Sequence, residues 1–177
     1  MMKKIVSSAF LLLAVLSFSF WGVFPQPLLA AETDTVTATV TAVVVSVSVA
    51  DGNVAFGAVD QDSTQDTTTN GVNDSQTATN DGSVDLDFSI KAADTASWTL
   101  GETAGEETYT LDFCTSDCDG NPTWTSVGID STYVTLATSV AKDGTQEFDL
   151  QVGTPTTTTV VDEQSITVTV QASASAS

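Results

Sequence analysis

The chain has 177 residues, with 23 Asp and Glu against 4 Lys, no Arg and no His, for a formal charge of −19. Without His there is no Ser-His-Asp or Cys-His catalysis and no imidazole metal ligand, and without Arg there is no guanidinium clamp for phosphate or carboxylate. So acidic a chain repels nucleic acid, whose binding rests on Lys and Arg displacing counterions; the small partners its charge favours are cations.

Met1-Met2-Lys3-Lys4 is a positive leader to an apolar stretch from Ile5 to Val23, followed by Pro25, Pro27 and the small pair Ala30-Ala31. This order reads as a secretory signal peptide over residues 1–31, cleaved after Ala30 or Ala31. An uncleaved anchor is the competing reading, because the stretch exceeds the ~7–15 residues of a usual apolar region. The leader holds no Cys for lipid attachment and no apolar tail closes the chain, so the expectation is a secreted, cell-surface protein with no membrane attachment after cleavage. Two lysines against 23 acids then leave −21 on the mature chain.

Directly after the leader, Thr35 to Val49 reads TVTATVTAVVVSVSV. Extended, it spans about 50 Å, whereas a sandwich strand is typically ~17–20 Å long. The alternation also changes phase. Val36, Ala38, Val40 and Ala42 are apolar at even positions, while Val43, Val45, Val47 and Val49 are apolar at odd ones. A slip of one residue moves every side chain to the other face, so the segment is two strands or one strand broken by a bulge. In one reading residues 32–42 form an extended donor strand that completes a neighbouring subunit, with Val36, Ala38, Val40 and Ala42 as its polymerisation face. Such a head-to-tail link repeats into an open filament, a homo-oligomer. In the other reading the strand folds back within its own subunit.

Residues 43–177 read as the globular domain. No window beyond residue 34 has convincing helical spacing, and the dominant period is two. Residues 60–82 are polar and turn-laden, a long loop with one edge strand at most. Val84, Leu86, Phe88 and Ile90 then alternate with Asp85, Asp87, Ser89 and Lys91. Tyr109, Leu111 and Phe113 follow the same pattern, then residues 133–138, then Phe148, Leu150 and Val152, and finally Ile166, Val168, Val170 and Ala172. Between them stand Asp51-Gly52-Asn53, Asn80-Asp81-Gly82, Asp119-Gly120-Asn121-Pro122 and Lys142-Asp143-Gly144, whose residue types tolerate positive φ. Residues 154–163 are a connector. Many short strands with turns between them indicate an all-β fold, a single antiparallel β-sandwich, Ig-like or jelly-roll-like, with an extended N-terminal strand.

Cys114 and Cys118, at short spacing in an exported chain, are expected to form a disulfide that pins a hairpin end. So small a loop contributes about 2 kcal/mol by chain entropy. Asp60, Asp62 and Asp66 punctuate one loop, Asp112, Asp117 and Asp119 surround the cysteines, and Asp85 and Asp87 share a strand face. Oxygen-rich turns of this kind are what a structural Ca²⁺ needs, with about six to eight ligands, and Asp60, Asp62, Asp66, Asp117 and Asp119 are the candidates. A solvated acidic surface explains the same residues. Paired acids also occur in glycosidases, but nothing places one in an apolar pocket, so no enzyme activity is expected. Trp98, Trp124 and the two Tyr are either a sugar platform or core and rim packing, and the alternation of Trp98 with Leu100 favours the core. Lys91 lies on a polar face and Lys142 in a turn, so no intramolecular isopeptide bond is expected. Asn73-Asp74-Ser75 is a glycosylation sequon of low specificity.

Taken together, the leader, the Thr/Val-rich first strand, Asp-Gly-Asn-Val-Ala-Phe-Gly at residues 51–57, Thr-Asn-Asp-Gly-Ser-Val-Asp-Leu-Asp-Phe at 79–88 and the terminal Gln-Ser-Ile-Thr-Val-Thr-Val-Gln-Ala resemble small exported surface β-sandwich proteins of the prokaryotic envelope. More distantly they resemble strand-exchange pilins and biofilm-fibre subunits. The resemblance implies a structural, self-assembling role without catalytic residues. A monomeric secreted adhesin or carbohydrate-binding module is the alternative.

Overall fold

The structure is a computed structural model and describes residues 32–129 and 131–176; the leader expected over 1–31 lies outside the described residues. The chain divides into a unit ending at Thr39 and a compact unit from Val40 to Ser177. The second unit is all-β. In chain order its strands are β1 (Val47–Ala50), β2 (Thr64–Asp66), β3 (Gln76–Asn80), β4 (Leu86–Ala92), β5 (Thr99–Leu100), β6 (Thr108–Cys114), β7 (Thr125–Ser126), β8 (Gly128–Ile129), β9 (Val134–Val140), β10 (Thr145–Gly153) and β11 (Val168–Ala174).

Two sheets pack face to face as a β-sandwich. The larger runs β1-β3-β10-β6-β5, with β2 also on β10 and β7 also on β6; the smaller runs β11-β4-β8, with β9 also on β4. Pairing is antiparallel except for two short parallel contacts, β4 with β8 and β5 with β6. Strand β10 knits the larger sheet, because Thr145–Phe148 pair with β3 while its second half pairs with β6 and β2.

The core follows from the period-two pattern, since alternate side chains of a strand face opposite sides. Leu86, Phe88 and Ile90 of β4 are fully buried, and Tyr109 and Leu111 of β6 with Phe148, Leu150 and Val152 of β10 meet them from the other sheet. The polar residues between them point to the outer faces, though Asp149 is buried there under its hydrogen-bond partners.

Two expectations are corrected. Residues 60–82 are more than a loop, because β3 within them lies inside the larger sheet between β1 and β10. Its inward side chains are Gln76, Ala78 and Asn80, all buried, so apolar alternation never marked it. Asn80 replaces apolar packing with hydrogen bonds: its Nδ2 donates to the Val84 and Val140 carbonyls at 2.9 and 2.8 Å, and its Oδ1 accepts from the Gly82 N–H at 2.8 Å. The second correction concerns the N-terminal strand. The domain's first strand begins at Val47 rather than Val43, and residues 32–46 form no strand within the subunit. A strand exists through a neighbour's hydrogen bonds, and among the described residues the even-phase part, residues 35–42, has no strand beside it.

Candidate assembly surface and acidic loops

The odd phase of the second half of the N-terminal segment is what seats β1. Val47 and Val49 are half-buried against the core, and Ser48 and Ala50 face out. Just before β1 the chain is tied to the body. The Val44 N–H donates to Ser83 Oγ at 2.9 Å, the Ser83 N–H returns to the Val44 carbonyl at 2.9 Å, and the Asp81 N–H reaches the Ser46 carbonyl at 3.1 Å. Gly82 permits this approach, since a Cβ there would stand 2.6 Å from the Val44 oxygen.

The even-phase half is different. Val36, in the unit that ends at Thr39, is 95% exposed, and Val40, at the start of the second unit, is 96% exposed. Ala38 and Ala42 are exposed as well. All four residues proposed as a polymerisation face are therefore open to solvent on a stretch that carries no charge from Thr35 to Ala50.

The expected disulfide is present in the geometry. Cys114, at the end of β6, and Cys118 are bridged with a Cα–Cα separation of 5.8 Å. Of the five candidate metal-binding aspartates, Asp117 and Asp119 share a shallow cavity of about 240 Å³ with Glu147 and Asp149 of β10. Asp62 lines a second, of about 120 Å³. Asp60 and Asp66 line neither, and among the described residues no three acidic or thiol side chains are grouped so as to hold a metal ion.

Hydrogen bonding shows what these loops do. The Asp60 carbonyl accepts from Ser63 Oγ and Thr154 Oγ1, both at 2.6 Å. Asp66 Oδ1 accepts from the Thr68 N–H and hydroxyl. Asp117, at φ +52°, opens a turn in which its carbonyl accepts from Gly120 and Asn121. Asp119 Oδ1 takes both the N–H and the hydroxyl of Thr69 at 2.7 Å, which ties the disulfide loop to the β2–β3 connection. Asp66 and Asp117 thus close their own turns, a common role of Asp outside regular structure, while Asp60 and Asp119 tie their loops to distant segments.

Three carboxylates are held below their ordinary pKa by such tethers. Asp87 is lowered by the Ser175 hydroxyl and then the Ser139 N–H, Glu107 by the Thr158 hydroxyl and then the Thr159 N–H, and Asp119 by the Thr69 N–H and then its hydroxyl. A depressed folded-state pKa contributes stability that is present above the unfolded value and lost as pH falls through the folded one. The ordinary values are 3.8 for Asp and 4.5 for Glu. Melting followed by circular dichroism in about 0.5 M salt, which screens the overall repulsion, is therefore expected to give a midpoint that is flat above about pH 5 and falls below about pH 4. A midpoint that held steady or rose down to about pH 3 would show that the tethers contribute nothing.

Of the four aromatic candidates, Trp98 and Tyr109 are used internally, while Trp124 and Tyr133 are half-buried outside the core cluster. The Tyr109 ring is fully buried and its hydroxyl donates to the Ala93 carbonyl at 2.6 Å, while burial, and then the nearby Asp94 charge, push its pKa well above the ordinary phenol value. Trp98 packs half-buried against the core, 6.5 Å from the Tyr109 ring, with its Nε1–H on Thr158 Oγ1. Lys91 holds its ammonium 4.9 Å above the Tyr133 ring.

Sequence reasoning missed the buried polar residues. Asn80 is one; Asp149 is another, its Oδ1 accepting from Thr67 Oγ1 and Ser75 Oγ. Asn80 did stand in a recognised turn, Asn80-Asp81-Gly82, but nothing in Asp149 or Thr67 separates a buried hydrogen-bonded group from a surface one. No protein-family model, no curated protein and no solved structure matches the chain.

Proposed function

We propose that this chain is an exported structural subunit that polymerises into an extracellular filament or surface layer, each copy donating its N-terminal segment as a strand to the next. The observation that carries this reading is the segment 35–42, which is uncharged, apolar at alternate positions and exposed, ahead of a body that holds nearly all of the −21. An exposed, charge-free stretch of alternating β-formers is an aggregation hazard unless it has a partner. Strand addition supplies that partner, with main-chain hydrogen bonds for affinity and alternate side chains for specificity. The carbohydrate-binding alternative draws less support, because Trp98 and Tyr109 are committed to the core and to internal hydrogen bonds.

The test is to purify residues 32–177 and follow them by size exclusion and negative-stain microscopy as salt is raised from about 10 mM to about 1 M, over which the screening length falls from about 30 Å to about 3 Å. Filaments or sheets are expected, and more of them at high salt, because screening relieves repulsion between bodies while leaving the neutral strand unaffected. A chain that stays monomeric throughout overturns the reading.

A further inference from the structure

If one copy donates a strand, another must offer an edge to receive it, and the edges of the sandwich are not equivalent. Strand β1 ends the larger sheet with only four residues, and β2, β5, β7 and β8 have two or three each. Strand β9 pairs with β4 in a register that shifts twice, and Ser139 within it sits at φ +52°. Irregularities of this kind bend an edge away from further pairing.

Strand β11 has none of these protections. Its seven residues pair with β4 in unbroken register from Val168↔Ala92 to Ala174↔Leu86. Among the described residues it has no strand on its other side. It contains no Pro and no Gly, and residues 164–177 include no charged side chain. Beside it the β4 residues Leu86, Phe88, Ile90 and Ala92 are at most 1% exposed, yet Val168, Val170 and Ala172 of β11, which continue the same face, are only half-buried. Burial of the inward row thus falls off toward the β11 edge, which β1 of the larger sheet approaches without pairing to it.

We propose that the outer edge of β11 is the acceptor, and that residues 35–42 of a second copy of this chain add there as a further strand. This rests on the strand-exchange reading above. Three properties of donor and edge match. The donor segment has eight residues and β11 has seven; both lack charge in a chain that is otherwise strongly acidic; and Val36, Ala38, Val40 and Ala42 supply small apolar side chains at alternate positions to extend the row formed by Val168, Val170 and Ala172. The donor comes from another copy, because Val40, at the start of the compact unit, is almost fully exposed within it.

The test uses the mature full chain. Ala38→Cys chains are mixed in turn with size-tagged chains carrying Val168→Cys, Val170→Cys or Ala172→Cys, and with controls carrying Val47→Cys on β1 or Ala137→Cys on β9, then oxidised during assembly. Mixed disulfide dimers are expected with at least one β11 variant and with neither control. In parallel, hydrogen exchange of the unsubstituted chain is expected to slow roughly tenfold or more on assembly, both at residues 35–42 and at Val168–Ala174, and to stay unchanged at Val134–Val140. Filaments whose donor links to β1 or β9, or whose β11 amides gain no protection, overturn the β11 edge while leaving strand exchange standing. A chain carrying both Ala38→Cys and Ala172→Cys that closes on itself without linking copies overturns the second copy as occupant. A mature chain that forms no filaments overturns the edge and the assembly reading together.

Discussion

Deleting residues 35–42 from the mature chain is expected to abolish filaments and leave a folded monomer. Among the described residues the core cluster begins at Val47, and the unit from Val40 to Ser177 is compact. The melting midpoint should therefore correspond to a stability change within about 0.5 kcal/mol, as for a surface alteration away from packing and caps. Microscopy should lose its filaments completely. Two substitutions sharpen the test without shortening the chain: Val36→Asp with Val40→Asp keeps the length but sets two charges on the neutral strand, facing a body of like sign. Like charges placed across an interface cost association strongly. The pair should be as defective as the deletion, whereas Val40→Ile should assemble. Filaments formed by the deleted chain would show that the segment is not the link.

The largest loss of stability from a single polar position is expected at Asn80. Replacing it with Leu strips the Val84 and Val140 carbonyls and the Gly82 N–H of their partner in a site that is fully buried. A buried group left unpaired costs about 1–3 kcal/mol, so three of them, partly rehydrated, should cost about 4 kcal/mol. Against a typical total of about 5–15 kcal/mol, that lowers the midpoint by roughly 10 °C for a domain of this size. Asn80→Asp keeps an acceptor for Gly82 but turns a carboxylate toward two carbonyls, so it should be at least as damaging. Ser48→Ala, on the outer face of β1, is the control and should change stability by less than about 0.5 kcal/mol. Thermal melts of the three variants decide the matter, and an Asn80→Leu midpoint within about 2 °C of the parent would show that the site relaxes or admits water.

The difference between Asn80 and its neighbours explains how much of the fold could be read in advance. Strands β4, β6, β10 and β11 were legible because their inward residues are Leu, Phe, Ile, Tyr and Val against Asp, Thr, Ser and Gln, so the alternation carries the sheet face directly. Strand β3 was invisible because Gln76, Ala78 and Asn80 are its inward residues, and hydrogen bonds between distant residues have no local pattern. The two-residue strands β5, β7 and β8 are too short to show any period. The phase change between Ala42 and Val45 pointed to a strand from Val43, but β1 begins only at Val47, because Val44 is held by Ser83 outside any ladder. The assembly segment stood out by what it lacks, charge. The aspartates stood out by their clustering on turns, and that clustering does not reveal which hydrogen bonds each oxygen makes.

Strand β10 has a further consequence, for the order in which the molecule can form. It is the shared neighbour of β2, β3 and β6, all of them made before it and separated from it in the chain by other strands. Until residue 153 exists, those three have no common partner and the larger sheet cannot close. Pairings between distant stretches form slowly, because the loop between them must be ordered first. The larger sheet is thus completed only after most of the chain has been made, whereas the pairings of β1 with β3 and of β4 with β9 do not wait for β10.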